Sequence, residues 1–331
     1  MSDVVLVGCR TAETGGNGLG ISVFRRSGTG ALTFESTLPM VSPTWLTQHP
    51  ALPMVYAANE TAHGEITSIS VSDEDGLVAL DVVDSGGSSP CHLAVTPNGR
   101  FLLCANYGGG SFAVFALRED GRIDGRTDLV QHSGNGPRAD RQEGPHVHMA
   151  VSSADSSVVS AVDLGTDEIR SYTLSPEGKL APLAVSALPP GTGPRQLVRG
   201  DDGIAYVVGE LSGELITMRE TSPGAFEFAA ATPATTTGSD SLVAHLEVLD
   251  SGIYLSNRGP ECITSFGGNP LTATADQPCG AYPWNFAVAD GICYVAANRD
   301  DALSMFPLAE LGTAIVTTVP TGSPTCVLPL R

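Results

Sequence analysis

Short apolar stretches of four to six residues, rich in Val, Ala, Leu, Phe and Tyr, recur along the whole chain and are broken by Gly, Pro, Asn and Asp. Stretches this brief, with β-branched residues inside and breakers at both ends, read as strands. A helix needs apolar positions three and four apart over a longer unbroken run. The strands come in a repeating order: a turn with Pro, an apolar strand, a Gly or Asn turn, a second apolar strand ending in a polar pair, then a third. SPCHLAVTPNGRFLLCANYGGGSFAVFAL, from Ser89 to Leu117, is the clearest unit. Further copies start at Ser42, Gly144, Gly193, Ser241 and Tyr282, which makes six complete units.

Two fragments are left over. VVLVGCRTAETGGNGLGISVF near the amino end supplies a second and a third strand, and SPTCVLPL near the carboxyl end supplies a first. Joined, they make a seventh unit. Units of about four strands at intervals of roughly 41–57 residues are the mark of propeller blades rather than helical solenoids. The predicted fold is therefore all-β: one seven-bladed β-propeller domain over residues 1–331, with four-stranded antiparallel blades. Its ring closes by pairing Ser323–Leu330 beside Val4–Cys9, so that no sheet edge stays open.

Composition narrows the function classes. The formal charge of −19, from 36 acidic and 17 basic side chains, disfavours nucleic acid and anionic membranes as partners. Of the 17 basic residues only Lys179 is a lysine, so the positions of the arginines carry the information. Seven scattered cysteines without CxxC spacing fit reduced thiols in a cytoplasmic protein. LVGC at Leu6–Cys9 has the look of a lipoprotein box, but its apolar run is too short and no basic residue precedes it, so Val4–Val7 is read as a strand. No apolar run approaches the roughly 20 residues that cross a bilayer. A monomer or weak homo-oligomer is expected.

Equivalent positions of a propeller repeat form rings around one axis. The position before the first strand's apolar residue gathers Trp45, His92, His148, Gln196, His245, Asn285 and Cys326, with Arg195 one residue earlier. The end of the second strand gathers Arg10, Glu60, Tyr107, Leu164, Glu210, Arg258 and Arg299. Five of those seven are charged in a chain with 16% charged residues, which exceeds surface decoration. Arginines collected in an acidic protein suit a small anion, because a guanidinium holds carboxylate or phosphate oxygens in pairs. The bland readings are inter-blade ion pairs for Glu60, Glu210, Arg258 and Arg299, and hydrogen-bonded core histidines for His92 and His245. SDEDG from Ser72 is a hairpin turn rather than a calcium loop, and NYGGG from Asn106 a tight turn rather than a phosphate cradle.

PCH with ANYGGG, HVH followed by DLGTD, GPR with GEL, and SNRG resemble the corresponding segments of the lactonase, seven-bladed β-propeller family. That family includes cycloisomerase-type 6-phosphogluconolactonases and fungal 3-carboxy-cis,cis-muconate lactonizing enzymes. The resemblance spans nearly the whole chain. It implies that His148, Arg195, Glu210 and Arg258 take the places of the family's active-site His, Arg, Glu and Arg. Gln196, where an aromatic or His often follows the Arg, and Gly209, where Asn is usual, depart from the pattern and leave the substrate open.

The function expected is hydrolysis of a small anionic sugar lactone in the central funnel, with no metal or organic cofactor. His148 is the expected general base, Glu210 orients water or relays the proton, and Arg195 stabilises the oxyanion. Arg258, with Arg299 or Arg10, holds the phosphate or carboxylate, and Glu60, His92, Tyr107 and His146 complete the binding surface. Three alternatives stay open. One is a carboxymuconate-type cycloisomerase, and another a metal lactonase using Glu60, Asp163, Asn257 and Asn298. The third is a non-catalytic propeller scaffold.

Overall fold

The computed structural model describes residues 3–331. Nearly every element is a strand, and the strands form seven four-stranded antiparallel sheets, each an up-and-down meander. This is the strand plan of a seven-bladed β-propeller. Six sheets are built from consecutive strands, and the seventh runs in the order Pro324–Pro329, Val4–Cys9, Gly20–Arg26, Leu32–Pro39. The predicted closure is present: Leu6 pairs with Leu328, Val7 with Val327 and Gly8 with Cys326. By Cα proximity the chain groups into two compact units. Among the described residues one comprises 3–44, Val208–Ile216 and Ala230–Arg331, the other Trp45–Val207 and Thr217–Ala229.

Burial falls from the second strand of each sheet to the fourth. Val4–Cys9, Met54–Asn59, Phe101–Asn106 and Val158–Asp163 are buried at every position, so they carry no alternation and read as continuous apolar runs. The fourth strands, such as Gly76–Asp84 and Ala225–Pro233, are mostly exposed. Sheet faces pack against one another: Phe112, Val114 and Leu103 meet Val147, Val159 and Tyr172 in one cluster, and Val5, Phe24 and Val327 meet Tyr294, Leu303 and Met305 in another. Each fully buried aromatic or aliphatic side chain there contributes about 2 kcal/mol.

The turns behave as the sequence predicts. Ser72–Gly76 is a hairpin turn closed by the Asp75 amide on Ser72 Oγ (2.9 Å). Asn106–Gly110 is a tight turn in which Asn106 Nδ2 donates to Ser111 Oγ (3.1 Å). All seven cysteines are free thiols, six of them buried and Cys91 half-buried. Among the described residues no helix is long and apolar enough to cross a membrane.

Candidate active site

The strand registers move two of the sequence assignments by one residue. Pro90 pairs with Asn106 and His92 with Ala105, with a bulge between them. One blade on, Val147 pairs with Asp163 and Met149 with Val162, with the bulge in the same place. His148 is therefore the equivalent of Cys91, not of His92. Arg195 follows Pro194 as Cys91 follows Pro90, so Cys91, His148 and Arg195 occupy one repeat position on three successive blades. Arg299 shifts likewise: Ala297 pairs with Pro283 as Asn257 pairs with Val243, which makes Asn298 the equivalent of Arg258.

That shared position brings the three side chains into contact. Arg195 Nη1 donates to His148 Nε2 (2.5 Å), and since a guanidinium has only donors, Nε2 is the acceptor. The proton of the neutral imidazole then sits on Nδ1, 3.7 Å from Cys91 Sγ. The Cys91 thiol in turn donates to the His148 carbonyl (3.4 Å). Arg195 is 8% exposed and His148 half-buried. The Tyr107 ring stands edge-on to His148 (centroids 5.4 Å, 74°) and lies flat on His146 (4.5 Å, 18°). His146 Nδ1 bonds the Tyr107 carbonyl (3.0 Å) and Nε2 bonds Glu143 (3.1 Å). The Glu143 carboxyl is held below its ordinary value by its own backbone amide first, then by His146 and Arg141.

Two glycines make room for this cluster. A Cβ on Gly165 would stand 1.9 Å from the Gly144 carbonyl oxygen, and one on Gly110 2.5 Å from that of Pro145. The DLGTD and NYGGG turns thus press on the segment that leads into HVH, and only glycine permits the approach. Asp163 fixes the segment further, accepting from the His146 amide (2.8 Å) and the Gly165 amide (3.0 Å). Its other oxygen bonds His132 Nδ1 (2.6 Å), and His132 Nε2 bonds the Tyr172 hydroxyl (3.0 Å).

In the other compact unit, Glu210 and Arg258 form a buried ion pair (3.0 Å, side chains 2% and 5% exposed). Arg258 also donates to Leu242 O (2.8 Å), Val243 O (3.1 Å) and the Tyr282 hydroxyl (3.4 Å). With most of its N–H groups committed and its charge matched by Glu210, it is a poor anion anchor. The sequence expects Arg258 to hold an anion; here its partners are Glu210 and neutral oxygens. Arg299 is exposed and lies over the Tyr282 ring (4.0 Å to the centroid).

The remaining predicted residues take the following places in their own blades. Arg10 folds back onto Thr14 O, on the short turn that follows its own strand. His92 is buried under Trp45 (centroids 4.3 Å) and its Nδ1 accepts the Ala150 amide (3.4 Å), the geometry of a packed core histidine. Glu60 is half-buried at the end of Met54–Asn59. Asp163 and Asn257, considered as metal ligands, have their polar atoms engaged within their own blades. Among the described residues no group of three His, Cys, Asp or Glu is placed to hold a metal ion. Sequence reasoning missed Cys91, Tyr282 and Trp284. Counting from the proline of each first strand would have found Cys91 and Trp284, since each is the residue directly after it.

The sequence pattern of the family described as Lactonase, 7-bladed beta-propeller matches residues 4–329. The chain belongs to this family. A 6-phosphogluconolactonase of Bacillus subtilis is 33% identical over 65% of this chain, an alignment that spans 66% of that relative's length. A 6-phosphogluconolactonase of Formosa agariphila is 26% identical over 89% of each chain. Among solved structures, the periplasmic gluconolactonase of Pseudomonas aeruginosa superposes with a TM-score of 0.89 over 98% of each chain at 26% identity.

Proposed function

We propose that this protein is a lactonase that opens a small anionic sugar lactone, of the kind named for its 6-phosphogluconolactonase relatives, and that His148 is its general base. The observation that carries the reading is the contact of Arg195 with His148 Nε2 at 2.5 Å, backed by Cys91 on the far nitrogen. In the reaction a water oxygen bonds to the lactone carbonyl carbon as Nε2 takes the water proton; the ring ester C–O bond then breaks, Nε2 returns that proton to the departing alkoxide to give the alcohol, and the carboxylic acid formed ionises to the carboxylate. For Nε2 to take that proton the guanidinium turns to the carbonyl oxygen, whose growing negative charge it stabilises. One displacement thus readies base and oxyanion donor together. A positioned base typically contributes two to four powers of ten and an oxyanion donor a few kcal/mol of barrier. The free state of all seven thiols supports a reducing compartment.

The test is acid release in a pH-stat over a panel of phosphorylated, carboxylated and neutral lactones and of muconates, with and without a chelator. Hydrolysis of an anionic lactone, unaffected by chelator, is the expected result. The variant His148→Ala should stay folded and lose about 100- to 10,000-fold in kcat. An unchanged kcat in that variant, or acid release only in the presence of metal, overturns the assignment.

A further inference from the structure

Five first strands begin with proline, and in each the residue before it has a positive φ: Ser42 (38°), Ser89 (51°), Gly193 (57°), Tyr282 (58°) and Ser323 (39°). A left-handed backbone is costly for any residue with a Cβ, and a following proline restricts the residue further. Four blades meet the demand with Ser or Gly. Tyr282 puts an aromatic side chain there. Every copy but Gly193 bears that strain, but only Tyr282 bears it with a large aromatic side chain, which points to a use for the ring.

What the ring does is hold cations. The guanidinium of Arg299 sits 4.0 Å from its centroid and that of Arg258 5.2 Å, while Trp284 packs edge-on at 5.5 Å. Arg258 is neutralised by Glu210. Arg299, among the described residues, has the ring but no ion pair and no side-chain hydrogen bond. Its acidic neighbours are turned elsewhere: Asp300 accepts the Ala281 amide (2.7 Å), Asp301 accepts from Asn17 (2.7 Å) and the Ser323 amide (2.8 Å), and Glu261 takes the Tyr282 amide. A guanidinium resting on a ring face loses side-chain freedom yet keeps its N–H donors for an oxyanion.

We infer that Tyr282 and Arg299 form a seat for one compact oxyanion, a phosphate or carboxylate group, with Tyr282 as the positioning residue and Arg299 as the binding one. The inference stands on this geometry and does not need the lactonase reading, so the two can fail separately.

The probe is inorganic phosphate, titrated by calorimetry into the full chain, alongside thermal melting of each variant. One phosphate should bind in the millimolar range, and Arg299→Gln should weaken it about tenfold or more. Tyr282→Ser should weaken it to a similar extent without lowering Tm, since serine is what three other blades carry at that strained position. Tyr282→Phe, which keeps the ring, should bind within about threefold of the parent. No phosphate binding, equal binding by all variants, or a loss in Tyr282→Ser matched by a fall in Tm would each overturn the proposal. Lactone hydrolysis in the pH-stat is read independently of all three.

Discussion

Replacing Glu210 by leucine leaves the Arg258 guanidinium buried at 5% exposure with only neutral acceptors: two backbone carbonyls and the Tyr282 hydroxyl. At 3.0 Å and an effective dielectric near 20, the direct attraction lost is about 5 kcal/mol. Much of that was offset in the parent by removing both ions from water, so the net cost is the penalty of one unpaired buried charge, about 3–5 kcal/mol. Unfolding entropy of about 2.1 cal/mol/K per residue over 331 residues converts this to a fall in Tm of about 4–7 °C. The double variant Glu210→Leu with Arg258→Met removes both charges and should regain most of the loss. Thermal melts of the two single variants, the double and the parent close a double-mutant cycle, whose coupling should exceed about 2 kcal/mol. Additivity to within about 0.5 kcal/mol would refute the claim that these two groups stabilise the fold as a pair, and would return Arg258 to the list of groups available to an anion.

Two further outcomes follow from the packing. Deleting residues 324–331 removes the strand that closes the split sheet and uncovers Val5, Leu6 and Val7 along one edge, so the truncated chain should lose its cooperative melt and pellet on expression; a soluble, normally melting truncation would contradict the closure. Asp81 is held below its ordinary value by its bond to Arg122, so the stability it supplies is present above the ordinary carboxylate range and disappears as pH falls through the lowered value. The stability difference between parent and Asp81→Asn should therefore be about 0.5 kcal/mol near neutrality and vanish in acid. A difference that persists below pH 2, read by denaturant melts across pH, would argue against the ion pair as its source.

Strand plan and closure were legible because second strands such as Val4–Cys9 and Phe101–Asn106 are nearly unbroken apolar runs between breakers, and because the terminal fragments complete one unit. The site was legible only as a set of residue types. A bulge at the start of the first strands inserts one residue between the pairs Pro90/Asn106 and His92/Ala105, and the sequence carries no mark of it at HVH. Since neighbouring residues of a strand face opposite ways, a slip of one sends attention to the wrong side chain. His92 was selected in place of Cys91 because the fourth blade's first strand opens on Val147 where the third has Pro90, so that histidine was matched to histidine across a slip of one, and Arg299 was placed in a ring to which Asn298 belongs. Charge is subject to a different limit. Its concentration at one repeat position is visible in sequence, but whether a given arginine faces a carboxylate or solvent depends on contacts between blades.

Asp163 shows how far behind the reactive ring its orientation is set. One of its oxygens takes the amides of His146 and Gly165 and the other takes His132, whose far nitrogen meets Tyr172, a phenol raised above its ordinary value by burial. His132 and Asp163 have fully buried side chains, so this chain of bonds has no route to a substrate and serves as scaffold. What it holds is the backbone at His146, and through it the stacked Tyr107, whose edge then faces His148. A carboxylate that accepts three bonds in a dry setting is a rigid anchor because leaving any of those donors unmade costs more than the bond itself contributes. Asp163, the first aspartate of DLGTD and in sequence a ligand for the metal-lactonase alternative, is thus bound into the support of the histidine cluster by the partners it has already taken.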